Sequence, residues 1–191
     1  MTDDPLGVLA GMLPGEPGVD GYFPTMALST VDEQGDPDVR TVLLSTLSTQ
    51  GLAFHTDARS NKVAQLADRP RVALMINLPE QARQIVVRGE ALRQNASDAA
   101  DAFRSRPRYL QLLAWRNTAE LAVLDEPERR RRWAEFAHSH PEGSLTAPPE
   151  WVGFTVRPSG ITFWQGHSDQ PSKRIVHTRS DAVWTMAVLP G

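Results

Sequence analysis

The sequence predicts a mainly β protein of the α+β class, whose strands close into an antiparallel barrel with helices set between them. Three observations predict it. Five apolar, β-branched segments follow one another in meander order through the first half, helical stretches are inserted at mid-chain, and residues 151–189 alternate apolar and polar side chains again. A barrel lets such strands pair without leaving an exposed edge. No internal repeat, low-complexity region or break in composition marks a second domain. Residues 1–24 read as an N-terminal helix with its connecting segment, and 25–191 as one domain.

Residues 4–13 suit a short helix, and the Pro/Gly-rich stretch from Pro14 to Pro24 then connects it to the first strand. Segments 25–31 (TMALSTV) and 39–47 (VRTVLLSTL) carry strand-type residues on either side of the turn-forming DEQGDPD. Segment 51–57 (GLAFHTD) follows a Ser48-Thr49-Gln50-Gly51 turn, so 39–47 and 51–57 are expected to form a hairpin. A helix over 60–69 has Ser60 as its cap. Strands at 71–78 and 83–93 come next, the first apolar enough to be buried on both faces. Residues 96–116 form a helix capped near Asn95 or Ser97 and broken at Pro107, because an internal proline removes a hydrogen bond and clashes with the preceding turn. A second helix, about 126–138, opens with acidic residues and ends near His138 and His140, matching the helix dipole. Two more hairpins are expected, turning at Pro158-Ser159-Gly160 and at Arg179-Ser180-Asp181.

Composition narrows the function. A chain of 191 residues with 40% hydrophobic residues is long enough to bury a substantial core. A formal net charge of -3 gives no overall positive field to gather nucleic acid. The absence of cysteine rules out disulfides, thiolate metal sites and cysteine nucleophiles. The acidic N-terminus lacks the basic flank of a secretory signal, and no apolar run is long enough to span a membrane. These features point to a cytoplasmic protein with no nucleic-acid or membrane partner.

Counting back along the expected hairpin sets Leu47 opposite Leu52 and Arg40 level with Arg59, where helix 60–69 begins. Arg40, Ser60, Lys62 and the free N–H groups of that helix would converge there. Such a cluster suits a phosphate: arginine supplies a planar fork, lysine a point charge, and the helix its dipole and unpaired donors. The competing reading is a hairpin end carrying ordinary solvated basic side chains.

Ordered motifs favour the phosphate. Arg40-Thr41-Val42-Leu43-Leu44, Phe54-His55-Thr56-Asp57 and Ser60-Asn61-Lys62 resemble the flavin-binding run of the pyridoxamine 5'-phosphate oxidases, with its Arg-x-Val-Leu-Leu-Lys strand, Phe-Tyr-Thr-Asn strand and Ser-Arg-Lys turn. Asp68-Arg69-Pro70-Arg71-Val72, Arg83-Gln84-Ile85-Val86-Val87, Ser105-Arg106-Pro107-Arg108, Ala114-Trp115, Trp151-x-Gly153-Phe154 and Phe163-Trp164-Gln165-Gly166 continue the likeness from about Asp38 to the C-terminus. The resemblance implies a split β-barrel, an antiparallel Greek-key-like barrel with flanking helices, assembled as a homodimer with FMN at the interface. It implies Arg40 and Lys62 on the FMN phosphate with Ser60 nearby, and Thr41, Val42 and Leu43 along the flavin. His55, Thr56, Asn61 and Gln84 fall on cofactor positions, and Trp164 and Arg174 would reach the flavin from the partner chain. A hydride would pass between a small organic substrate and the flavin.

The pattern is broken chiefly on the substrate side. The family's phosphate-holding lysine, tyrosine, arginine and serine fall on Ser45, Ala102, Arg106 and Leu110, and its Arg-x-His pair on Gln170 and Ser172. Only Arg106 is retained. A buried phosphate dianion short of cationic partners is costly to desolvate, so the pocket suits a less anionic molecule than pyridoxamine 5'-phosphate. No acid or base is obvious; Arg106 and His55 are the catalytic candidates. A deazaflavin-dependent reductase and a flavin-binding protein without turnover are the alternatives.

The remaining features have plainer readings. His138 and His140 lack the further ligands of a metal site. Arg129 to Arg132 form a solvated helix face paired with Asp125, Glu126 and Glu128. Trp115, Trp133, Trp151 and Trp184 read as core or interface anchors.

Overall fold

The structure, a computed structural model, describes residues 4–181 and 183–191. The chain runs α1 (Pro5–Met12), β1 (Thr25–Val31), β2 (Pro37–Leu43), β3 (Thr46–Ser48), β4 (Gly51–Asp57), α2 (Asn61–Asp68), β5 (Arg71–Leu78), β6 (Arg83–Arg93), α3 (Ala96–Arg104), α4 (Arg108–Arg116), α5 (Ala119–Ala122), α6 (Glu126–Ser139), β7 (Trp151–Gln165), β8 (Lys173–Ser180) and β9 (Val183–Pro190). All strand pairs given below are antiparallel. Among the described residues no helix is long and apolar enough to cross a membrane.

The sheet runs in the order β2-β1-β5-β6-β7-β4-β3, with β8 added to β7 and β9 to β8. Its two ends, β2 and β3, are consecutive in the chain. Backbone closes the gap between them: Leu44 N–H donates to Pro24 and Ser45 N–H to Ala53. The barrel is therefore split rather than continuously laddered. The expected hairpin of 39–47 with 51–57 holds only for its tip, where Leu47 does face Leu52. Upstream of Ser45 the strand has left β4 and pairs with β1, placing Arg40 opposite Leu28 and not level with Arg59.

Two further expectations fail for reasons of pairing. Strand β5 is not buried on both faces; its side chains alternate, with Val72, Leu74, Ile76 and Leu78 inside. The doubly buried strand is β4, over Gly51–His55. Pro158-Ser159-Gly160 is not a turn either. β7 runs through it, pairing with β6 along one side and with β4 and then β8 along the other. Gly89 faces Pro158 and Arg88 faces Gly160, so Ser159 is the extra residue of a bulge, a place where a strand tolerates proline. The hairpin turn expected there lies between Gln165 and Lys173.

The barrel interior is one apolar cluster, from Leu6 and Leu9 of α1 through Leu28, Leu44, Phe54, Leu74, Ile85 and Val87 to Val156 and Ile161. A smaller cluster of Phe103, Leu112 and Leu145, with Trp115, Trp133, Phe136 and Trp151 packed on it, holds the helical segment to β7. The helix break expected at Pro107 separates α3 from α4, and Asn95 caps α3 by accepting from Asp98 N–H. The arginine run lies on α6 in ion pairs of Arg130 with Glu126, Arg131 with Glu128 and Glu135, and Arg132 with Glu128.

Candidate functional site

A cavity of about 700 Å³ opens where β2, β4, the start of α2 and the helical segment meet. That volume is within the roughly 300–1,000 Å³ usual for small-molecule sites. Its floor includes Thr41, Val42 and Leu43 of β2 and His55 and Thr56 of β4. One end is the α2 turn with Arg59, Ser60 and Lys62. The opposite wall is Arg106 with Leu110, Leu113, Ala114 and Trp115 of α4, and Trp151 at the start of β7.

At the α2 end, Lys62 is half-buried and donates to Thr56 Oγ1 at 3.1 Å. Burial, and then the neighbouring Arg40 guanidinium, lower its pKa, which Asp57 and Asp38 partly offset. Arg40 reaches this place by a different route from the expected hairpin. Its guanidinium donates to Gln65 of α2, to Thr30 Oγ1, to Leu28 O and to Asp38, and Gln65 lies three residues beyond Lys62, on the same helix face. Arg40 itself stands behind the cavity wall. Ser60 sits at the expected N-cap position, yet its hydroxyl donates to Asp57 O instead of accepting from the helix, so the helix N-terminus keeps its donors unpaired by that side chain. Arg59, held by Asp57, is also influenced by Glu150 and Glu120. Asn61 is exposed and does not line the cavity.

The opposite wall holds a buried polar chain. Arg106 is only 8% exposed, and burial lowers its pKa to about 10. Its Nη2 donates to Ser45 Oγ at 3.0 Å, and Ser45 Oγ lies 2.9 Å from His55 Nδ1. The hydroxyl that accepts from arginine keeps its own proton and a second lone pair for the ring nitrogen. Nε2 and Gln94 Oε1 lie buried together beside Gly153, where an added Cβ would come within 2.8 Å of the ring nitrogen and 2.0 Å of the amide oxygen. His55 is stacked on Trp151 with centroids 5.3 Å apart. Burial, and next the charge of Arg106, lower its pKa to about 4, so it is neutral at physiological pH. It cannot exchange a proton readily near neutrality.

Of the sequence candidates, Thr41, Val42, Leu43, Ser45, His55, Thr56, Ser60, Lys62, Arg106 and Leu110 are thus gathered in or directly beneath one cavity. Gln84, expected like Thr56 on a cofactor position, does not line this cavity: it pairs with Trp164, which pairs with Arg174, forming one row across β6, β7 and β8. Gln84 and Trp164 line a second cavity of about 390 Å³. Ala102 belongs to α3, before the helix break, and is not part of the wall. Gln170 and Ser172 lie in the segment between β7 and β8, also apart from it. Trp151 was not anticipated at the site. Its position follows from β4–β7 pairing, which sets Asp57 opposite Trp151 and His55 opposite Gly153, a long-range register the local sequence does not reveal.

The fold and the site define a split-barrel protein whose cavity carries a cationic helix start at one end and a buried arginine at the other. The chain belongs to the pyridoxamine 5'-phosphate oxidase family. Residues 21–140 match the family model described as pyridoxamine 5'-phosphate oxidase, and residues 151–189 match the pyridoxine 5'-phosphate oxidase C-terminal dimerisation region. The chain is 33% identical over 161 residues to a pyridoxine/pyridoxamine 5'-phosphate oxidase of Shewanella frigidimarina, covering 84% of this chain and 76% of that one. It is 34% identical to the corresponding Streptomyces avermitilis protein, over 83% of this chain and 72% of that one. Among solved structures, PhzG from Burkholderia lata in complex with tetrahydrophenazine-1-carboxylic acid has the same fold, with a TM-score of 0.76 and 23% identity, over 87% of this chain and 82% of that one. A pyridoxamine 5'-phosphate oxidase-related, FMN binding protein from Nostoc punctiforme has a TM-score of 0.61 and 17% identity, over 86% and 87% of the two chains.

Proposed function

We propose that this chain is an FMN-dependent oxidoreductase, a homodimer with FMN at the subunit interface, in which a hydride passes between a small organic substrate and the flavin. The observation that carries this reading is the half-buried Lys62 at the start of α2. It has a threonine hydroxyl as its hydrogen-bond partner and Arg40 at its back. A cation held in this way is suited to an anion, and the unpaired N–H groups of the helix turn are suited to the same one.

In this reading Lys62, Ser60 and Thr56 hold the FMN phosphate, with Arg40 fixing α2 through Gln65. Thr41 to Leu43 lie along the flavin ring. Gln84, Trp164 and Arg174, being one row in one chain, reach the flavin together from the partner. FMN supplies a ring that accepts or returns a hydride. The wall of Leu110, Leu113, Trp115 and Trp151 excludes water from the substrate side. Arg106 and Ser45 face the substrate, and His55, neutral and buried, is a positioning residue that holds the Ser45 hydroxyl.

Efficient oxidation of pyridoxamine 5'-phosphate is not part of the proposal, because Arg106 alone remains of the side chains that would hold the substrate phosphate. The test is to purify the chain, denature it and identify the released chromophore, then follow reoxidation of the reduced protein in stopped flow. FMN, with reduction by an organic substrate and reoxidation by dioxygen or another acceptor, is expected. Release of a deazaflavin would contradict the cofactor. FMN with no reduction by any donor would mark a binding protein.

A further inference from the structure

We propose that the N-terminal helix α1 holds the Trp164 indole in place through a Gln81–Arg83–Gln165 clamp, with Gln81 as the positioning residue. The proposal rests on reading Gln84, Trp164 and Arg174 as the row that reaches the flavin across the interface. It extends that site to a helix outside the residues 21–140 and 151–189 matched by the family models.

Leu6 and Leu9 of α1, with Leu13 just after it, are buried in the apolar cluster of the barrel. A helix end leaves carbonyls without partners in the helix, and here Met12 O accepts from Gln81 Nε2 at 3.0 Å. Both ends of the Gln81 amide are in use, since its Oε1 accepts from Arg83 Nη1 at 3.3 Å. Arg83 Nε donates to Gln165 Oε1, and Gln165 Nε2 donates back to Gln81 O at 3.2 Å. A ring of side chains thus ties the end of α1 to the turn at residues 79–82 and to the end of β7. The turn itself is strained. Ala82 has a φ of 48°, a left-handed conformation that a residue with a Cβ keeps only where its surroundings enforce it, and its carbonyl accepts from Gly166 N–H at 2.8 Å.

Gly166 is where the clamp meets the indole. A Cβ at this position would come within 2.6 Å of Trp164 Cη2 and 3.0 Å of Cζ3, so the outer edge of the ring lies directly against the glycine. The strand register brings the two groups together as well: Arg83 faces Gln165, and Gln165 faces Lys173, in the row next to that of Gln84, Trp164 and Arg174. Met12 lines the same cavity of about 390 Å³ as Gln84 and Trp164. Loss of the Gln81 amide frees Arg83 on one side and Met12 O on the other. The 79–82 turn then loses its tie to α1, and with it the fixed support that Gly166 gives the ring.

Wild type, Gln81→Leu, Trp164→Ala and the double variant test this together. The emission of Trp164, taken as the difference between each protein and its Trp164→Ala counterpart, should be quenched by acrylamide about twofold more strongly in Gln81→Leu, and the FMN dissociation constant of that variant should rise about fivefold; in the Trp164→Ala background the same substitution should change FMN affinity by less than about twofold, because its effect passes through the indole. Unchanged quenching, unchanged FMN affinity, or a full effect on FMN that persists without the indole overturns the proposal. Should Gln81→Leu not fold, hydrogen exchange of wild type decides. FMN should slow exchange at residues 5–13 and 79–82, since coupling between two sites is reciprocal, and equal rates with and without FMN overturn the proposal. A wild type that binds no FMN refutes the proposed function, and the quenching measurement, made without flavin, then still decides whether α1 holds the indole.

Discussion

His55 carries the clearest consequence at the scale of single residues. Its folded pKa of about 4 is depressed below the ordinary histidine value of 6.5, so the unfolded chain takes up a proton that the folded chain refuses. Stability from this group is complete above about pH 6.5 and is lost as pH falls toward 4. Between pH 7 and 5 the loss is about 2 kcal/mol by the linkage relation. Urea denaturation of wild type and His55→Gln at both values should show the gap between them narrowing by about that amount at the lower pH; an unchanged gap would mean that the ring is protonated in the fold. The residue was legible as a candidate from its place in the Phe-His-Thr-Asp strand. Its neutrality was not, since that depends on burial and then on the charge of Arg106, brought to it from a distant segment.

The elements were largely readable and their partners were not. Strand and helix limits over 25–31, 71–78, 83–93 and 96–116 follow from apolar patterning, Asn95 and Pro107, all of which act locally. The errors at Arg40 and at Pro158 share one cause: which strand lies alongside is decided by barrel closure, which no local pattern encodes. Strand β7 shows the result, because its bulge depends on a glycine in another strand. A Cβ at Gly89 would lie 2.2 Å from Arg157 O and 2.9 Å from the adjoining carbonyl carbon. That is backbone, which cannot step aside cheaply. Gly89→Ala should therefore lower stability by about 2–4 kcal/mol in chemical denaturation, and a loss under 0.5 kcal/mol would mean that the bulge is elastic.

For the whole molecule, β9 is an edge strand, which the expected edge-free barrel did not allow. Val183, Met186, Val188 and Leu189 are exposed along it, an arrangement that single proteins usually cover or charge. It lies within the region matching the family's dimerisation model. In the proposed homodimer this face is covered, and Met186→Glu should shift the protein toward monomer in sedimentation velocity and weaken FMN binding in parallel; an unchanged sedimentation coefficient would place the interface elsewhere. The account stands most directly on the cationic start of α2. Measured by quenching of flavin fluorescence, the FMN dissociation constant of folded Lys62→Gln should rise at least tenfold over wild type, as expected for loss of a charge-assisted phosphate contact. An affinity equal to that of wild type would contradict it.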